Sequence, residues 1–245
     1  MIDGLVLAIQ FLTRLPVKKC VDFNDKNLSK SILYYPFVGL LIGGFGALVY
    51  YIFAYLNDRI ASFFALLAMI VITGGLHLDG LSDSFDGFLS CRERDRVLEI
   101  MKDSRLGSFG VLAIVLDILL KYILISSIEG NMFLILGLSY ANSRLIIAYL
   151  ISAKRIAKAE GIGYMFYKSK PKKYALFGGI IYIVMLLFVD PIYLIPLFFS
   201  FIPGQIMANI AYRKIGGFTG DVYGATIELC EIVSLLTFLG VLTWI

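Results

Sequence analysis

Three aspartates, Asp79, Asp83 and Asp86, stand four and then three residues apart in HLDGLSDSFDG, residues 77–87. On a helix turning 100° per residue they fall within roughly 60° of one face. The segment follows directly on an apolar run of membrane-spanning character. Three carboxylates gathered at the edge of a low-dielectric medium repel one another. A cluster of this kind calls for a counter-cation, and an all-oxygen ligand set favours Mg²⁺, Mn²⁺ or Ca²⁺. The next stretch, CRERDRVLEIMKDSRLGSFG (91–110), adds Arg92, Arg94, Arg96, Lys102 and Arg105 among Glu93, Asp95, Glu99 and Asp103. Carboxylates, a divalent metal and cations together are the equipment of phosphoryl transfer. For 92–99 the plainer reading, a solvated mixed-charge helix, is the expected one.

A second acidic constellation is GGFTGDVYGATIELCE, residues 216–231. Asp221 and Glu228 are seven apart on one helical face, and Glu231 follows at the next turn. The glycine-rich lead-in with Thr219 can bring backbone amides close to a phosphate. The competing reading is a loop–helix junction whose acids sit at a helix N-terminus. His77, the chain's one histidine, stands at a span end, where a hydrogen-bonded interface role competes with a role at the site. Asn142 and Arg144 lie inside an apolar run, and an intramembrane arginine is a functional candidate. Asp117 and Lys121, four apart in another span, are expected to neutralise each other.

The elements that position these groups are membrane helices. The chain has 245 residues, 59% hydrophobic and 16% charged, with a mean hydropathy of +0.85. A soluble domain carries about 25% charged residues. We expect an all-α, polytopic integral membrane protein forming a single membrane-embedded catalytic domain over 1–245. About seven spans are expected, near 33–56, 60–76, 109–127, 132–152, 174–190, 192–211 and 227–245. The pair at 174–211, divided only by Asp190 and Pro191, also reads as a re-entrant hairpin, which would leave six spans. Pro196 and Pro203 are expected to kink the sixth. Residues 1–13 are apolar but too short to span and suit an interfacial helix. MIDGLVLAIQF has no basic n-region, so no cleaved leader is expected. The three cysteines, Cys20, Cys91 and Cys230, have no disulfide or metal spacing.

Nineteen of the 22 Lys and Arg fall in four segments, 14–30, 77–108, 152–173 and 212–226. These alternate with short loops that hold only Arg59. Under the positive-inside rule the N-terminus and the four basic segments are cytoplasmic. Both acidic constellations then face nucleotides and Mg²⁺. The net charge of +4 gives no reason to expect a nucleic-acid partner.

QFLTRLPV (10–17), GGLHLDGLSDSFDG (74–87), KDSRLGSFG (102–110) and GGFTGDVYGATIELCE (216–231) together resemble the cobalamin synthase family, the adenosylcobinamide-GDP ribazoletransferases. Ser82 and Phe85 stand where smaller residues are common in that family. The resemblance implies a Mg²⁺-dependent enzyme of the prokaryotic cytoplasmic membrane. It would join adenosylcobinamide-GDP to α-ribazole or its 5′-phosphate, releasing GMP in the final assembly of adenosylcobalamin. It maps the family's acidic motif onto Asp79, Asp83 and Asp86, its Gly-Asp motif onto Asp221, and its Asp-Ser-Arg motif onto Asp103, Ser104 and Arg105. On this basis Asp79, Asp83, Asp86, Asp221 and Glu228 are expected at one or two Mg²⁺ ions. Asp83 or Asp86 is expected to take the attacking hydroxyl's proton, with Lys102 and Arg105 stabilising diphosphate charge. His77, Asp103, Ser104, Arg105, Asn142, Arg144 and Thr219 are the expected substrate-binding residues. A lipid bilayer surrounds the protein, and a homo-oligomer is compatible with the sequence.

Two rival classes remain. A CDP-alcohol phosphotransferase needs Ala-Arg in the place after Asp86-Gly87 that FLSC occupies here. A divalent-cation transporter needs acids deep in several spans, and Asp117 is the one expected to lie deep.

Overall fold

The computed structural model describes residues 2–244. Met1 and Ile245, at the ends of the expected 1–245 domain and, for Ile245, of the 227–245 span, lie outside them. The described residues form twelve α-helices and no strand. Helix α1 (Ile2–Leu12) buries one face and is too short to span, as its apolar length implies. Helix α2 (Asp25–Ser31) continues through a 3₁₀ turn into α3 (Tyr35–Phe53), giving one apolar rod over Asp25–Phe53. Asn24, Asn57 and Asn131 cap α2, α4 (Asp58–Thr73) and α8 (Met132–Ala153), each accepting a backbone N–H of the first turn.

Six helical segments among the described residues are long and apolar enough to cross a membrane. They are Asp25–Phe53, α7 (Ser108–Ser127), α8, α10 (Lys172–Val189), Pro191–Ile215 containing α11 (Leu194–Ile215), and α12 (Gly220–Trp244) over Gly220–Thr243. Helices α10 and α11 each pass this test, so the segment at 174–211 has the length of two spans rather than of a short hairpin. Pro203 lies inside α11, which is assigned as one helix to Ile215. Helix α8 is buried on nearly every side and forms the centre of the bundle. Outer faces carry exposed Leu116, Leu176, Phe188 and Phe198, as lipid-facing surfaces do.

The expected span at 60–76 is a bent helix pair, which counts as one broken span or as a re-entrant loop. Helix α4 stops at Thr73, and α5 (Leu76–Leu89) leaves it at 86°. Gly74 and Gly75 make this corner with φ of +67° and +70°, a region that side chains with a Cβ rarely adopt. The Arg14 backbone N–H donates to the Ile72 carbonyl at 2.7 Å, and the Arg14 side chain packs on Gly74. The glycine-rich segment at 216–231 runs into a helix, as the shared face of Asp221 and Glu228 implies. Helix α12 begins at Gly220, so Asp221 stands in its first turn rather than in a loop.

Candidate functional site

Helix α5 carries all three aspartates on an unbroken helix despite Gly80 and Gly87. Gly80 has a packing reason. A Cβ there would lie 2.7 Å from the Asp221 carbonyl oxygen, and one on Gly224 would lie 3.2 Å from the His77 carbonyl oxygen. The first turns of α5 and α12 thus meet backbone to backbone. This contact brings Asp79 and Asp83 to the side of Asp221. Asp79 is exposed, and Asp83, Asp86 and Asp221 are half-buried. Burial, and then repulsion from Asp79, Asp221 and Asp86, push the Asp83 carboxyl up to about 7. The Thr219 hydroxyl donates to Asp221 at 3.3 Å.

Asp86 has a second task. Its two carboxylate oxygens accept the Gly107 and Gly110 backbone N–H groups, each at 2.8 Å. These are free amides at the start of α7, so Asp86 ties α7 to α5. The turn before Gly107 holds Asp103, Ser104 and Arg105 at the surface. Arg105 clasps Asp103 through Nε at 3.0 Å and Nη2 at 2.6 Å, holding that carboxyl down to about 2. Lys102 donates to Glu160 at 2.7 Å.

Asp79 and Asp221 stand in the wall of a cavity of about 570 Å³, together with His77, Lys102, Lys158, Glu160 and Thr219. The remaining wall is largely apolar and aromatic, supplied by α1, α3, α8, α9 (Gly161–Lys168) and α12. Two loop segments close one side. Ala157 donates to the Phe218 carbonyl at 2.8 Å, and Phe218 donates to the Arg155 carbonyl at 2.9 Å. Arg94, on α6 (Arg94–Ile100), braces them by donating to the Ile215 and Ala157 carbonyls at 3.0 and 3.1 Å.

Glu228 does not join the aspartates. It lies in the interior of the bundle with Lys121, which also pairs with Glu231 at 2.7 Å and Asp117 at 3.2 Å. The expected pairing of Asp117 with Lys121 is present, and Glu228 and Glu231 add to it. Arg144 is fully buried, pairs with Glu231 and approaches His77 Nδ1 at 3.4 Å. Asn142 is held by Ser234 at 3.0 Å and Tyr182 at 2.8 Å. Asn142 and Arg144 thus belong to this interior network and do not line the cavity. The expectation that only Asp117 lies deep is corrected, since Glu228 and Glu231 are buried too. Among the described residues, the space that these acids line is only about 10 Å³.

The sequence did not mark Tyr35, Phe166, Lys158 or Glu160 as wall residues, and no motif flags them. Phe218 and Tyr223 lie inside the GGFTGDVYG motif, which was a usable signal. Among the described residues no group of three or more Asp, Glu, His or Cys side chains converges on one point as a metal cage. By chemistry the crowded carboxylates of Asp79, Asp83 and Asp221 do suit a hard divalent cation.

The model of the cobalamin-5-phosphate synthase family matches residues 4–239. The adenosylcobinamide-GDP ribazoletransferase of Treponema denticola is 34% identical over 253 residues, covering 96% of each chain. That of Clostridium novyi is 37% identical over 241 residues, 97% of this chain and 96% of its own. That of Clostridium tetani is 37% identical over 246 residues, covering 98% of each. No solved structure matches the chain.

Proposed function

The chain belongs to the cobalamin-5-phosphate synthase family, and we propose for it the reaction that its relatives' names describe. It joins adenosylcobinamide-GDP to ribazole, or ribazole 5′-phosphate, in the final assembly of a cobalamin. The observation that carries the site assignment is the glycine-mediated contact of α5 with α12, which sets Asp79 and Asp221 in the wall of one cavity with Asp83 beside them. The ribazole 3′-hydroxyl oxygen, which stays free when the 5′-oxygen carries phosphate, forms a bond to the phosphorus on the cobinamide side of the diphosphate. The bond from that phosphorus to the bridging oxygen breaks, and GMP leaves with the bond's electrons.

Asp79 and Asp221 at the cavity wall would hold Mg²⁺ jointly with the diphosphate's own oxygens, and the ion would neutralise diphosphate charge. The hydroxyl proton passes to Asp83 in this reading, because both oxygens of Asp86 already hold the α7 amides. Lys102 at the cavity wall meets the outgoing phosphate charge. Arg105 reaches the same face from the turn before Gly107, once released from its exposed pair with Asp103. His77 is fixed in the wall by Arg144 behind it. The basic segments 14–30, 77–108, 152–173 and 212–226 favour a site on the cytoplasmic side of a prokaryotic inner membrane.

Purified protein in liposomes, given adenosylcobinamide-GDP and ribazole, is expected to release GMP in step with cobalamin product and in proportion to added Mg²⁺. Absence of ribazole-dependent GMP release would overturn the reading. Release of CMP from a CDP-alcohol would support the lipid-enzyme alternative instead.

A further inference from the structure

The relatives' names do not say where the nucleoside acceptor sits. We infer that the aromatic interior of the cavity behind Asp79 and Asp221 is the subsite for the acceptor's base, with a hydroxyl of the Tyr35 and Tyr223 pair as its hydrogen-bond donor. This inference rests on the ribazole transfer proposed above. Of the buried side chains in the wall, only His77, Tyr35 and Tyr223 carry nitrogen or oxygen atoms. His77 Nδ1 is already turned to Arg144 and Glu228. The Tyr35 and Tyr223 hydroxyls are buried and have no hydrogen-bond partner among the described residues. A buried hydroxyl without a partner is costly, and both residues line the same cavity.

Flat rings surround those two hydroxyls. Phe218 stacks on Tyr223 with centroids 4.8 Å apart and an interplanar angle of 15°. Phe166 touches Phe11 at 4.9 Å and meets Tyr35 edge-on at 6.1 Å. Such walls take a planar aromatic ligand. Ribazole is a benzimidazole riboside. Its base is apolar and bicyclic and has one ring nitrogen free to accept a hydrogen bond.

The alternative occupants fit less well. Guanine would bring several N–H donors, and the buried wall offers no carboxylate or amide side chain to receive them. The corrin with its nucleotide arm is far larger than a cavity of about 570 Å³, whereas a riboside belongs to the size class such pockets hold. The orientation is also productive. With the base against Tyr35, Phe166 and Tyr223, the ribose points to the mouth, where Asp79 and Asp221 await the diphosphate.

The test compares KM values for both substrates using the full-length protein in liposomes. Wild type is expected to use the riboside of indole, which lacks the ring nitrogen acceptor, with a KM about tenfold above that of ribazole. The variant carrying both Tyr35→Phe and Tyr223→Phe and one of the two single variants are expected to raise the ribazole KM by a similar factor. They should leave the indole riboside KM and the adenosylcobinamide-GDP KM unchanged, so the discrimination disappears. Equal KM values for the two ribosides in wild type would overturn the inference without any variant. A raised KM for adenosylcobinamide-GDP alone would place the guanine or corrin in the cavity and overturn it as well. Failure of the proposed function itself looks different, because wild type would then release no GMP with either riboside.

Discussion

Helix α12 carries two acidic regions that meet opposite fates. At its first turn Asp221 joins Asp79 and Asp83, with no cation directly paired to them among the described residues. About two turns deeper, Glu228 and Glu231 are each paired with Lys121, and Glu231 also with Arg144. The interior acids are closed off by the fold's own charges and lie beside almost no free space. The acids at the mouth stand beside a large cavity, and burial together with their mutual repulsion pushes Asp83 up to about 7. Charge left uncompensated where a ligand can enter marks a site, whereas charge compensated in the interior marks a strut.

Four substitutions separate strut from site. Lys121→Met should have the largest effect. It leaves Asp117, Glu228 and Glu231 buried with Arg144 alone, and removing one partner of a buried pair costs about 3–5 kcal/mol. A large fall in the thermal midpoint and in yield of folded protein is expected, and unchanged stability would refute the strut. Asp221→Asn should fold normally and lose about 10²–10³-fold in kcat for GMP release. Normal turnover would remove Asp221 from the site. Gly80→Ala puts a methyl group against the Asp221 carbonyl; overpacking of this kind costs about 1–3 kcal/mol. It is expected to lower kcat by about tenfold through separation of α5 from α12, and full activity would show that the contact is dispensable. Arg96→Gln breaks an exposed pair with Glu99 and should change stability by less than about 1 kcal/mol, with kcat preserved. A large loss would make the 92–99 stretch part of the site rather than a solvated face.

The same comparison explains what the sequence could and could not disclose. Hydropathy located the helices well, because a span announces itself by a long apolar run, and α7, α8, α10 and α11 begin and end near the expected positions. The spacing of Asp79, Asp83 and Asp86 correctly put them on one helix. Periodicity reports angle and not depth, however. Seven residues advance a helix by about 10 Å, so Asp221 and Glu228 share a face yet lie in different surroundings. Partners from other helices were equally hidden. Nothing near Lys121 in the sequence announces Glu228 or Glu231, over a hundred residues away. The 86° corner depended on two consecutive glycines with positive φ, which read in sequence as the end of a span. Tyr35 sits in an ordinary apolar run, and its place in the cavity follows only from the meeting of the start of α3 with Phe166 of α9.

The central claim is that the acids at the α5–α12 mouth hold the divalent ion and that Glu228 does not. Titration of Mg²⁺ against the GMP-release rate tests it most directly, using wild type, Asp79→Asn and Glu228→Gln. Asp79→Asn is expected to raise the half-activating Mg²⁺ concentration by about tenfold or more, the loss of one charged ligand being worth about 1.4 kcal/mol or more. Glu228→Gln should leave it where wild type has it. The opposite pattern, a shift with Glu228→Gln and none with Asp79→Asn, would contradict the division of α12 into a site and a strut.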